Sequence, residues 1–165
     1  PIKMASYSIG PFYLFSVDHE IMLINMNSAI ISLFNFLLKN KEEREQNIPL
    51  MVGSPISFLN SNLKLVQNLE SLGIEIQIIA PELLIIKSYP ELLGQLNFFE
   101  ILSHILNSHQ TGHTWERLLS EPLSFNIQWS EKDATILHKI HHDKKITANH
   151  IITRLSEDNL AKLFL

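Results

Sequence analysis

Residues 28–39 read SAIISLFNFLLK, and few folds can accommodate them. Ala29, Ile30, Ile31, Leu33, Phe34, Phe36, Leu37 and Leu38 are apolar, leaving Ser32, Asn35 and Lys39 as a narrow polar stripe. The pattern predicts a helix, and a helix apolar almost all round is buried on more than one side. One side can lie on a sheet; the other can meet a second subunit or the rest of the same chain. The stretch is too short and too interrupted by Ser32 and Asn35 for the ~18 apolar residues of a membrane span.

A chain of 165 residues suits one domain, or one domain with a subdomain inserted into it. At this size roughly 70% of the unfolded surface can be buried, so no disulfide or metal staple is required. The sequence has no cysteine, which excludes thiolate-ligated zinc, iron–sulfur clusters and thiol nucleophiles and fits a reducing cytoplasm. Net charge is −4, with no long block of either sign, so a strongly basic DNA-binding face is not expected. The run KNKEEREQN at 39–47 mixes signs and reads as a solvated linker. The opening Pro1-Ile2-Lys3, without Met or a signal peptide, is expected of a fragment from a longer protein.

The element order reads ββα, then an α/β middle, then βα. Residues 7–17 and 21–24 are apolar runs around the polar break Asp18-His19-Glu20, which predicts a two-stranded hairpin. The second strand runs directly into the helix near Asn27 or Ser28. Residues 48–58 are extended and punctuated by Pro49 and Pro55. Asn60 or Ser61 opens a helix carrying Leu65, Val66, Leu69 and Leu72 on one face, and Gly73 is placed to end it. IEIQIIAPELLIIK reads as two strands about a turn at 80–82. A long helix is predicted over 92–109 and a short one over 114–120. Ser130 to Asp133 forms a capping box for a helix ending near His142. Residues 151–155 read as a last strand. Ser156 caps a final helix, with Leu155 and Leu160 as a hydrophobic staple.

Little in this pattern carries chemistry. His138, His141 and His142 fall at i, i+3 and i+4 on a predicted helix and could present two imidazoles together, although as helix-end imidazoles they also suit the negative end of the dipole. His104, His109 and His113 surround another helix end. There is no Gly-rich phosphate loop and no nucleophile elbow. Asp18 and Glu20 fit turn formation better than a catalytic pair. Trp115 and Trp129 suit core or interface anchors. The strand-to-helix joint, a favoured place for chemistry because of the helix dipole, holds only Asn25, Asn27 and Ser28.

Several strings taken in order resemble the C-terminal domain of MutL, the DNA mismatch-repair family. YLFSVDHEIMLINMNSA is similar to that family's opening hairpin and strand-to-helix joint, and IPLMVGSPISF to its Gln-x-Leu-(Leu/Ile)-x-Pro segment. LVQNLESLGIEIQIIAPELLIIKSYP resembles the following helix and hairpin, IQWSEKDATILHKI the late helix of the enterobacterial branch, and RLSEDNLAKLFL the closing strand and helix. In the branch that cuts DNA, the joint carries Asp-Gln-His-Ala-x-x-Glu. Here the acid is replaced by Asn25, the His by Asn27 and the Glu by Ile31. The later Cys-(Pro/Asn)-His-Gly-Arg-Pro motif aligns with residues 148–153 and keeps only His150. The sliding-clamp segment aligns with Ile48, Pro49, Leu50, Met51, Val52 and Gly53, with both anchoring ends changed.

The resemblance implies the branch without endonuclease activity: no cofactor, no catalytic residue, and Asn25, Asn27 and His150 as remnants of a metal motif. It implies a cytoplasmic homodimer serving MutS, a methyl-directed nicking endonuclease and a repair helicase. Clamp binding is then doubtful and DNA contact weak or indirect. It implies an α+β (α/β) fold in which residues 1–47 and 146–165 form a dimerisation subdomain and 48–145 an inserted regulatory-type subdomain. Phe12, Leu14, Ile30, Leu33, Phe34, Leu37 and Ile152 are the expected dimer-interface residues. Two alternatives stay open at this point: a metal-dependent nuclease of the same fold with displaced ligands, and an unrelated α/β ligand-binding module recognisable by a deep pocket.

Overall fold

The computed structural model describes residues 7–51, 53–107, 127–146 and 151–162. It is an α+β protein with two antiparallel sheets. The chain forms two compact units, one of residues 1–30 with 128–165 and one of residues 31–127.

The first unit is built on a sheet of order β1-β2-β3-β8, with β1 Tyr7–Ile9, β2 Phe12–Val17, β3 Glu20–Asn25 and β8 Ile152–Leu155. All its neighbours run antiparallel. The β2–β3 loop is only Asp18-His19, both with positive φ (49° and 66°), as a two-residue type I′ hairpin demands. Helix α1, Met26–Lys39, follows β3 without a gap. Helix α6, Glu131–Asp143, packs on β2, where the Phe15 and His138 rings meet edge-on with centroids 5.9 Å apart. Helix α7 covers Glu157–Lys162.

The second unit centres on β7, Leu83–Pro90. Strand β6, Glu75–Ala80, runs along one edge of it. Strands β4, Asn47–Pro49, and β5, Pro55–Ser57, share the other edge at opposite ends. Around this sheet lie α2 (Lys41–Glu45), α3 (Leu63–Glu70), α4 (Glu91–Gly94) and α5 (Phe98–Leu106). A 3-10 turn at Asn60–Asn62 leads into α3, and the buried Asn62 donates from Nδ2 to the Leu106 carbonyl at 2.8 Å. The unit's core includes Leu65, Val66, Leu69, Leu72, Leu84, Ile86, Leu102 and Ile105.

The structure departs from the sequence reading in definite places. The run 39–47 is not all linker, because α2 forms within it. Arg44 turns its guanidinium back onto the carbonyls of Leu37 (3.1 Å) and Leu38, satisfying orphan acceptors at the end of α1. The long helix over 92–109 is two: α4 stops at Gly94, and Asn97 (φ −74°, ψ 65°) leaves helical geometry before α5 begins. The unit boundaries fall near residues 30 and 128, not at 47 and 146. Helix α6 groups with the end strands because it rests on β2 and its His141 Nε2 donates to the Ala29 carbonyl at 2.9 Å. The short helix over 114–120, with Trp115, His109 and His113, lies outside the described residues. So does the Leu160 side chain of the expected staple.

Candidate functional site

In the first sheet, side chains alternate between two faces as the period of a strand requires. On β2, Tyr13 and Phe15 are buried, whereas Phe12 and Ser16 are exposed and Leu14 half-buried. Register extends the faces across the sheet, because directly paired residues in antiparallel strands share a face. Tyr13 pairs with Ile24 and Phe15 with Met22 on the inner face, under α6. The outer face collects Ile9 with Phe12, Leu14 with Leu23, and Ser16 with Ile21. Strand β8 adds Leu155 beside Ile21 and Thr153 beside Leu23.

Among the described residues this outer face is apolar and partly exposed. Ile9 is 66% and Phe12 47% exposed, while Leu14, Ile21, Leu23 and Leu155 are half-buried. An antiparallel sheet with one free face normally alternates apolar in and polar out. Its polar members here, Ser16, Asn25 and Thr153, are uncharged. The sheet's charged pair, Glu20 with Arg154 (3.0 Å), falls on the inner-face register.

At the strand-to-helix joint, Asn25 is a helix cap. Its Oδ1 accepts from the Ser28 amide at 3.2 Å, and its own amide donates to the Ile151 carbonyl at 2.8 Å. The Met26 amide donates to the Pro11 carbonyl at 2.8 Å, and α1 starts at Met26, one residue ahead of Asn27 and two ahead of Ser28. Asn27 is buried, and His150 lies outside the described residues. Among the described residues no buried side-chain nitrogen or oxygen is left without a partner, and no three of His, Asp and Glu are disposed to hold an ion together.

Compared with protein-family models and with curated proteins, the chain matches none.

The expected interface residues separate into groups. Phe12 and Leu14 stand on the outer sheet face. Ile152 pairs with Ile24 and so belongs to the inner one. Ile30, Leu33, Phe34 and Leu37 are at most 1% exposed within the single chain, which gives them no surface for a partner. On the other side of α1, Leu38 and Lys39 are exposed and Ile31, Ser32, Asn35 and Phe36 half-buried, so the apolar residues outside the Ile30, Leu33, Phe34 and Leu37 stripe are only partly covered within the chain. Sequence reasoning missed Ile9, Ile21, Leu23 and Leu155. Strict alternation with Tyr13 and Phe15 could have indicated some of them, but both faces of these strands are apolar and the pattern alone does not say which is covered.

In the clamp-like segment, Met51 is fully exposed and Ile48 37% exposed. Its backbone is already committed, since β4 pairs with β7 and the Leu50 amide donates to the Lys87 carbonyl at 2.7 Å. Val52 lies outside the described residues. Of the α6 histidines, His141 is buried on Ala29. His138 and His142 face a cleft beside the β2–β3 turn. No helix among the described residues is long and apolar enough to cross a membrane.

Proposed function

We propose that the chain is a non-catalytic homodimerisation and protein-interaction module, the role implied by its resemblance to the C-terminal domain of MutL. In that reading it couples mismatch recognition to strand nicking and unwinding, with MutS, a methyl-directed nicking endonuclease and a repair helicase as partners. The observation that carries the reading is the apolar outer face of the β1-β2-β3-β8 sheet. A stable homodimer buries on the order of 2,000 Å² or more of relatively apolar surface, and a two-fold contact requires a patch compatible with itself. Among the described residues, Ile9, Phe12, Leu14, Ile21, Leu23 and Leu155 share this face in register with the uncharged Ser16, Asn25 and Thr153, which bring no like charges together across a two-fold.

Light scattering of the chain over a wide concentration range tests this. The expected mass is twice 19.0 kDa, persisting into the low micromolar range. Phe12→Glu places an unpaired carboxylate in the contact, at a cost of several kcal/mol. It should give a monomer with unchanged circular dichroism, because Phe12 is already half in water. A wild-type chain monomeric at every concentration would remove the proposal and favour the ligand-binding alternative.

A further inference from the structure

Between the β2–β3 turn and α6, within the first unit, lies a cleft of about 310 Å³ lined by Val17, Asp18, Thr135, His138, Lys139 and His142. We propose that His138 and His142 form a site for a divalent transition metal of borderline softness, Zn²⁺ or its neighbours Ni²⁺ and Cu²⁺, with water completing the coordination. The proposal is independent of the dimer.

Residues four apart on a helix stand one above the other on the same face, the arrangement by which two imidazoles chelate one ion. Both residues line the same cleft, and the His138 imidazole is held below its ordinary pKa first by burial and next by the nearby His142. It therefore offers a lone pair, not a proton, near neutral pH. His142 carries the orienting contact typical of a ligand histidine. Its Nδ1 stands 3.4 Å from Asp143 Oδ1, a carboxylate contact that leaves Nε2 as the nitrogen available to a metal. The Phe15 edge contact fixes the His138 ring from behind.

The opposite wall supplies the charge. Asp18 is held in the left-handed region by the two-residue turn, and its carboxylate acts on His138 in the sense opposite to burial. No set of three His, Asp or Glu is disposed to hold an ion directly among the described residues. Asp18 is thus assigned to a metal-bound water, not to the ion itself. Lys139 shares the cleft, but it is exposed and its ammonium can extend into water. Without cysteine the donor set is nitrogen and oxygen, which suits zinc, nickel and copper.

Isothermal titration of the full chain with ZnCl₂ near pH 7.5 tests the site, together with the imidazole resonances in NMR spectra. One Zn²⁺ per chain is expected, with the His138 and His142 ring signals shifting together and binding weakening as protons compete at lower pH. Outer-shell changes alone cost about 10–100-fold in affinity, so His138→Gln and His142→Gln should each lose about tenfold or more. His104→Gln, in the other unit, should lose nothing. His142 is exposed, so its variant stays folded and remains a fair test. Absence of Zn²⁺ binding, or binding equally strong in both cleft variants, would overturn the site.

Discussion

Asn25 shows how one side chain can keep a position structural. Its Oδ1 satisfies the Ser28 amide, one of the four orphan donors of α1. Asn25→Ala should lower unfolding free energy by about 1 kcal/mol, seen as a lower urea midpoint. Asn25→Asp retains the acceptor and adds a charge at the positive end of the helix, so stability should hold or rise. His141 makes a second prediction. Burial holds its pKa down, against the opposing pull of the Ala29 and Ile146 carbonyls. A folded pKa below the unfolded value of about 6.5 means the unfolded chain binds the proton more readily. Its contribution is therefore full above about pH 6.5 and is lost as pH falls below it. Urea midpoints measured from pH 8 down to 5 should decline, and His141→Gln, which keeps a donor for Ala29 without titrating, should flatten the decline. The cap at this joint was readable from the residue types at 25–28. The His141–Ala29 bond was not, because it joins residues 112 positions apart.

At the level of elements, local chemistry decided which boundaries could be read. Ser130 caps α6 as its spacing indicates: the Asp133 amide donates to Ser130 Oγ at 3.1 Å, and the Ser130 amide donates back to Asp133 Oδ2 at 3.2 Å. Ser130→Ala should cost about 1 kcal/mol, measurable by chemical denaturation. Gly73 follows α3 with φ +89°, and a Cβ there would lie 2.7 Å from the Arg44 carbonyl oxygen. Gly73→Ala should cost about 1–3 kcal/mol through backbone strain alone, and the melting temperature should fall accordingly. These stops are written in consecutive residues. The break between α4 and α5 was hidden because apolar spacing continues across it, and only Gly94 and Asn97 signal the interruption. Helix α2 was hidden for a different reason: Arg44 reaches back to the end of α1 at a spacing that no helical pattern marks, while the helix's own residues look like any charged linker.

Across the whole molecule, the α+β character and the use of both chain ends in one unit were legible, since strand-helix pieces stand at each end of the sequence. The place of α6 was not, because its capping box fixes where it starts but not which sheet it rests on. Strand β8 pairs with β3 across the entire intervening unit, whereas every pairing around β7 is made within residues 47–90. A chain ended after Ile127 should therefore keep slow amide hydrogen exchange in β6 and β7 and lose it in β3; retained protection in β3 would count against this dependence. On the ribosome the same geometry becomes a matter of timing. At about 5–20 residues per second, β3 waits on the order of ten seconds for its neighbour to be synthesised, with its edge unpaired and apolar side chains beside it. That interval is when a nascent chain is most open to pairing with the wrong strand, including the β8 of a finished copy, and it is where a chaperone would have the most to protect.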